Sequence, residues 1–445
     1  MQKGFLFDIN KCTGCHACQI ACALENELRF NSSWRQIVTY NESRHPDLPF
    51  FHLSLACNHC GDPPCMIYCP ALAYYKDNES GMVVLETQKC VGCSYCSWVC
   101  PYDAPYYNEA TGIMEKCTLC RHRLQEGLDP ACTALCPTDA LQYGDVQETK
   151  KIEELPGFPD RNINPAMQIT PLRPGSVLPE MTALPYDQSV FDAFKAAQRS
   201  PEPKINIKSE WILLLFTYIL SLLVGLVSAS IFFKNLFNPI FIPLAAIFSL
   251  ALSTLHLGRK ARVYRAVLNW KRSWLSREVL FSLLFLLLTL INAILLSDNK
   301  IILSMASLAG FAALFSMDRV YQVTMHNGLS KFHSANTLFT ALLFFGLFSA
   351  NSFLFSIFWI LKLYLYIKRK ISQQNIRLFL SILRINIGYV IPVILWMASI
   401  VNFYWFLVIC MILSEFIDRL EFYLEFDIIT PYSEMSNDIR KKLRY

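Results

Sequence analysis

The chain has 445 residues, 53% of them hydrophobic and 17% charged, with a formal charge of +5. This composition is too apolar for a soluble protein of this length, so part of the chain is expected in lipid. No dense Lys/Arg run with interleaved aromatics occurs in the polar part, which excludes a nucleic-acid binder.

The N-terminus, MQKGFLFDINKCTGC, shows no apolar core, twin arginine or small-residue cleavage site, and no signal peptide is read there. Sixteen of the 17 cysteines then fall between residues 12 and 136. The short strand-like segments FLFDI before Cys12 and MVVLE before Cys90 repeat one relation, a strand followed by a cysteine run. That weak repeat fits an α+β domain of two paired ferredoxin-like modules over residues 1–150.

The cysteines form four quartets. Cys12, Cys15, Cys18 and Cys22 are spaced C-x2-C-x2-C-x3-C, and Cys90, Cys93, Cys96 and Cys100 repeat the spacing with Pro101 following, the bacterial ferredoxin run. Cys57, Cys60, Cys65 and Cys69, and Cys117, Cys120, Cys132 and Cys136, are variants with one stretched inner spacing. Three cysteines so spaced wrap one face of a cubane, and the fourth points toward another cluster. The alternatives are weaker: dense runs make poor internal disulfides, and zinc prefers separated C-x2-C pairs. Four 4Fe-4S clusters are expected. Cys410, alone in an apolar run, reads as a small buried hydrophobe.

Residues 151–208 hold nine of the 22 prolines and no clean helical period except around VFDAFKAAQ, and read as an extended arm or linker. Beyond it, residues 209–425 read as an all-α membrane bundle of about eight helices, near 211–233, 239–257, 279–297, 301–317, 334–350, 352–367, 380–399 and 401–418. Charges are expected mainly at span ends. Residues 426–445 read as a polar tail. An even number of spans puts the cysteine domain and this tail on one face.

Arg259, Lys260, Arg262, Arg265, Lys271, Arg272 and Arg277, with Lys368, Arg369, Lys370 and Arg377, are read as loops on that face, against Lys234 and Lys300 opposite. Basic loops stay cytoplasmic, so the cysteine domain is expected on the cytoplasmic side of a bacterial inner membrane, unless a folded partner carries it across. His256, His326 and His333 are the anchor's histidines, none in mid-span, so no haem is expected.

The quartets in this order, with PPCMIYCP, CVGCSYCSWVCPYDAP and EKCTLCRHR, resemble the iron-sulfur subunit of the dimethyl sulfoxide reductase family. STLHLGRKARVYRA, SWLSREVL and SEFIDRLEFY resemble that family's anchor subunit, so the chain is similar to a fusion of the two. The resemblance implies a separate catalytic subunit with a molybdopterin-type cofactor. It also implies cross-ligation: Cys12, Cys15 and Cys18 with Cys136; Cys117, Cys120 and Cys132 with Cys22; Cys57, Cys60 and Cys65 with Cys100; Cys90, Cys93 and Cys96 with Cys69.

His256 closes the second span and Glu278 opens the third, at one membrane boundary. A quinol giving electrons to clusters must also lose protons, and a histidine beside a carboxylate offers an acceptor and a relay. The resemblance implies the same two residues for quinol. The alternative is that His256 caps a helix and Glu278 pairs with a loop arginine; Arg384 and the Glu415, Asp418, Arg419 group lie at the same face without an assigned role. The expected function is an electron relay and anchor in anaerobic respiration, from menaquinol or another quinol to a terminal reductase. The same relay run toward quinone from a formate, hydrogen or sulfur-compound dehydrogenase stays open, as does a redox-sensing or ion-pumping module.

Overall fold

FLFD, the segment before the first cysteine run, forms the central strand of a three-stranded sheet in the computed structural model of the chain. The structure describes residues 2–28, 33–146, 155–159, 162–173, 205, 207–233, 238–295, 299–324, 331–372, 377–397, 403–426 and 428–443. VFDAFKAAQ, Lys234 and His326 lie outside the described residues. The chain divides into two units, Met1–Glu202 with Ile429–Tyr445, and Pro203–Ile428.

In the first unit the described strands are β1 Gln2–Asp8, β2 Gln36–Tyr40, β3 Phe51–Leu55, β4 Tyr74–Lys76, β5 Val83–Leu85, β6 Tyr106–Asn108, β7 Ile113–Glu115, β8 Leu141–Val146 and β9 Met167–Thr170. Phe5 and Phe7 alternate onto the buried face of β1, as period-2 patterning requires. β1 pairs antiparallel with β8, Phe5 opposite Tyr143, and parallel with β9, Phe5 opposite Met167. The stretch read as a Pro-rich arm thus supplies a strand. The other six strands form three antiparallel hairpins, β2 with β3, β4 with β5 and β6 with β7.

Short helices leave the cysteine runs: α1 Ala17–Glu25, α2 Pro64–Ile67, α3 Tyr95–Trp98, α4 Arg121–Gln125 and α5 Ala131–Ala134. One backbone device recurs. In all four runs the residue before the second cysteine is left-handed: Gly14 at φ 66°, His59 at 42°, Gly92 at 72° and Leu119 at 56°. Glycine takes that conformation without steric cost, and a Cβ at Gly14 would lie 2.6 Å from the His52 ring. His59 and Leu119 hold it against their own sterics, which the rest of each run must enforce.

In the second unit the helices are α6 Ile207–Ser230, α7 Phe241–Leu255, α8 Trp274–Ile294, α9 Lys300–Val323, α10 Thr337–Phe348, α11 Ser352–Ser372, α12 Leu378–Ile385, α13 Ile391–Met397 and α14 Phe403–Glu425. A 3-10 segment Lys260–Val267 follows α7, and a π-helical turn Asn386–Val390 joins α12 to α13. Among the described residues four helices are long and apolar enough to cross a membrane, or five if α7 and the segment after it, bent by 108°, form one span. Those four are Glu210–Ser230, Trp274–Ile294, Lys300–Val323 and Leu378–Leu395. α10 is short, and α11 and α14 carry buried charge, which is why the expected eight are not all of one kind.

The last helix, α15 Pro431–Lys442, belongs to the first unit. Thr430 caps it in a reciprocal box with Ser433, and Pro431 opens it at a position where a missing N–H costs nothing.

Candidate cluster cavities and a buried carboxylate

Each cysteine run delivers its sulfurs to more than one place. One cavity is lined by Cys22, Cys117, Cys120 and Cys132, a second by Cys57, Cys60, Cys65 and Cys100, and a third by Cys12, Cys15, Cys18 and Cys136. In each, three sulfurs come from one run and the fourth from another. Cys69 adjoins Cys90, Cys93 and Cys96, near enough for their charges to act on one another. Among the described residues no three His, Cys, Asp or Glu side chains close on a single ion. The sulfurs instead stand around voids.

The donor set suits iron-sulfur chemistry. Burial pushes the Cys12 thiol up to about 11 and Cys93 up to about 12, and it raises Cys96 and Cys117 well above the ordinary thiol range. Thiolates in such places need a cation, which cluster iron supplies when bound. Cys15 is exposed and Cys12 and Cys136 are half-buried, so the third cavity is the one most open to its surroundings.

Three side chains beside these cavities escaped the sequence reading. Arg35, 1% exposed, donates from Nη1 to Ser54 O and Oγ, each at 3.0 Å, and stacks over Phe5 at 4.2 Å. Burial works against its charge, but the sulfurs of Cys132, Cys18, Cys117 and Cys22 more than offset that. Ser54 Oγ in turn lies 3.3 Å from Cys18 Sγ. Lys116, buried, lines the second cavity and donates to Cys117 O at 3.0 Å and to Val83 O. His59 accepts the Val83 N–H at 3.1 Å, and burial holds its imidazole well below the usual range, hence neutral. Lys116 had a signal in its place next to Cys117; Arg35 had none, since its role depends on where β2 lies.

In the helical unit, His256 follows the last residue of α7 and is half-buried, its imidazole hydrogen-bonded to the Ser253 backbone. Glu278 is buried in the second turn of α8. The charges that act on it are those of Arg419 on α14 and Asp318 on α9, with Tyr321 beside them. The loop arginine nearest in sequence, Arg277, donates instead to Trp270 O at 2.9 Å and Lys271 O at 2.7 Å. Arg419 donates to Thr217 Oγ1 at 3.1 Å and Ala335 O at 2.8 Å. Asp318 accepts from the Thr337 N–H at 2.8 Å and hydroxyl at 2.9 Å. His333 stacks on Phe422 at 5.0 Å. Arg369 and Lys370, read as loop cations, are buried against α14.

A 4Fe-4S dicluster domain is matched over residues 48–146. The chain is 41% identical over 158 residues to one chain of the anaerobic dimethyl sulfoxide reductase of Escherichia coli K12, covering 34% of this sequence and 77% of that one. It is 40% identical over 150 residues to one chain of the polysulfide reductase of Wolinella succinogenes, covering 33% and 78%. It is 38% identical over 145 residues to one subunit of the tetrathionate reductase of Salmonella typhimurium, covering 32% and 58%. Four cysteine runs folded around shared cavities, with this identity across most of a relative's length, place the chain in the family of electron-transfer iron-sulfur subunits of dimethyl sulfoxide reductase-type enzymes.

Proposed function

We propose that the chain relays single electrons between a membrane quinol and a molybdopterin-type catalytic partner, in an anaerobic dimethyl sulfoxide reductase-like terminal reductase. The observation that carries this is the set of three cavities each lined by four cysteines from two runs. It supports three clusters directly, and the Cys69, Cys90, Cys93, Cys96 group supports a fourth. The exposed Cys15 edge suits electron exchange with the catalytic partner.

At the other end, Glu278 and His256 bind the quinol headgroup and take its protons. The long apolar helices support a multi-pass anchor, read as eight crossings of a bacterial inner membrane. Lipid and quinone are then the anchor's surroundings. The cysteine domain faces the cytoplasm, supported by Arg259, Lys260, Arg262, Lys271 and Arg272 between the second and third spans; Arg369 and Lys370 add nothing to that bias, being buried.

The test is spectroscopic. A menaquinol analogue added to membranes holding the full chain is expected to reduce the clusters, with iron and sulfide each about sixteen per chain. Clusters that a low-potential chemical reductant reduces and the quinol does not would defeat the quinol half of the reading. Iron near twelve per chain would defeat the four-cluster half.

A further inference from the structure

Charge expected at span ends is instead carried into the helices. α14 sets Glu415, Asp418, Glu421 and Glu425 three, three and four residues apart, on one face of the helix. Facing them are Lys362, Arg369 and Lys370 of α11 and Arg384 of α12. Lys362 pairs with Glu415 and lies 4.0 Å from Asp418. Arg384 reaches Asp418 at 2.9 Å and Glu415 at 3.7 Å. Arg369 lies 3.0 Å from Asp418 and 3.5 Å from both Glu421 and Glu425. Lys370 holds Glu421 at 2.9 Å and pairs with Glu425. Every step between successive carboxylates is bridged by a cation.

Hydroxyls join the same groups. Thr340 donates to Glu415 at 3.2 Å, Ser334 to Asp418 at 2.9 Å, and Tyr366 at 2.9 Å and Ser381 at 2.7 Å to Glu421. Four cations balance four carboxylates, so one added proton changes the net charge of an otherwise neutral ladder. From Glu415 to Glu425 it runs about 15 Å along the helix, roughly half of a bilayer's hydrocarbon core. Lys362 stands near the middle of the 21-residue α11 and is 0% exposed.

A clamp between helices does not require such a ladder. Buried ion pairs are often no more stable than apolar packing of equal volume, and ionisable groups inside a membrane are costly to keep. A second observation points past the clamp. The Arg369 nitrogens each lie within 3.5 Å of a carboxylate, whereas Arg384 Nε and Nη1, in a guanidinium stacked over the Tyr366 ring at 3.8 Å, are buried without hydrogen-bond partners. Buried donors left over in this way are ordinarily met by water, and water between carboxylates is what lets a proton pass.

We propose that this ladder is a proton path, conducting between mid-helix, at Lys362 and Glu415, and the end of α14 at Glu425. The carboxylates, the lysine amines and the bridging hydroxyls carry the proton, while Arg369 and Arg384 stay charged and hold the balance. The proton's source rests on the quinol reading: a quinol oxidised to quinone gives two electrons to ferric iron of the clusters and two protons to carboxylates. The residues 334–335 connect the two sides of α14, since Ser334 donates to Asp418 while Ala335 accepts from Arg419, whose charge acts on Glu278.

The experiment uses the full chain in proteoliposomes with a trapped pH dye and a menaquinol analogue. Glu421→Gln and Tyr366→Phe are expected to slow proton appearance roughly tenfold or more and to raise the solvent deuterium effect. Their cluster reduction by a chemical reductant should stay unchanged, while Glu421→Gln is expected to melt lower, since Lys370 and Arg369 lose a buried counter-charge. Proton appearance at the wild-type rate in folded Glu421→Gln overturns the path. A pH-jump infrared measurement needs no quinol and keeps the two readings apart. A buried carboxyl band on acidification, lost in Glu421→Gln and shifted in Tyr366→Phe, supports the ladder even where quinol is not oxidised. Absence of any such band in the wild type overturns it even where quinol is.

Discussion

Tyr40 donates a hydrogen bond of 2.7 Å to Asp438, joining residues 398 positions apart. Lys442 lies over the same ring at 5.7 Å, and Met435 is buried against Gly157. The tail helix is therefore part of the cysteine unit's core. Tyr40→Phe is expected to cost about 1 kcal/mol, one hydrogen bond, and deletion of residues 431–445 several times that. Thermal melting followed by cluster absorbance checks both; an unchanged midpoint in the deletion would show the helix to be merely laid on the surface.

The same contact fixes a topology. The N- and C-terminal segments share one folded unit, so they lie on one side of any membrane the intervening helices cross. The number of crossings is expected to be even. Tags at residues 1 and 445 should be accessible from the same face of oriented vesicles, and accessibility from opposite faces would refute it.

Cys22 lines a cavity with Cys117, Cys120 and Cys132, away from its own run. Cys22→Ser should therefore perturb the cluster of that cavity and leave the one at Cys12, Cys15, Cys18 and Cys136 intact. Paramagnetic resonance of the reduced protein resolves the two cases. Loss of the latter signal with the former preserved would contradict the shared cavity.

The cysteine runs were legible because ligand spacing is local: three sulfurs a few residues apart can be read without knowing the fold. β1 before Cys12 and β5 before Cys90 were legible for the same reason. What depends on distant segments was not. β9 looked like part of a proline-rich arm because its partner, β1, is some 160 residues away. α15 carried its own signals in Thr430, Pro431 and Ser433, yet a polar helix reads as a tail until Tyr40 supplies a surface. The charges of α11 and α14 looked like span ends because one sequence does not reveal that Lys362 meets Glu415. The quinol pair was read as His256 with Glu278; the sequence did not show that the charges acting on Glu278 come from α9 and α14.

Arg35 sits, fully buried, among the sulfurs of Cys132, Cys18, Cys117 and Cys22. A fixed positive charge favours the reduced, more negative state of a neighbouring cluster. At an effective dielectric of about 20, a unit charge that close to the ligand sulfurs is worth on the order of 1–3 kcal/mol, or tens of millivolts to about 100 mV for one electron. Arg35→Gln is thus expected to lower the potential of the cluster held with Cys22 by tens of millivolts, and less strongly that of its Cys18 neighbour. Redox titration decides, and potentials unchanged within about 10 mV would show that the Arg35 charge does not tune either cluster.

On the proposed quinol reading, Glu278 is the residue to test first. It is buried in the second turn of α8, faced by the Arg419 cation and the Asp318 carboxyl. Asp318 is already engaged by Thr337 and the Leu338 N–H, and Arg419 by Thr217 and Ala335. Glu278 thus keeps capacity for a quinol hydroxyl, as does Arg419, whose Nη2 is buried without a hydrogen-bond partner. Glu278→Gln keeps the volume and the hydrogen bonding but removes proton acceptance. It should lower quinol-dependent cluster reduction by roughly 100-fold or more, the usual scale of a lost general base, with quinol affinity changed far less. His256→Ala should act more mildly, since the imidazole ends α7 and is not among the charges acting on Glu278. Reduction of the clusters by a chemical reductant serves as the control for folding in both. Normal quinol turnover in Glu278→Gln would move the site off α8; a His256→Ala defect larger than that of Glu278→Gln would make the imidazole the primary acceptor and Glu278 its support.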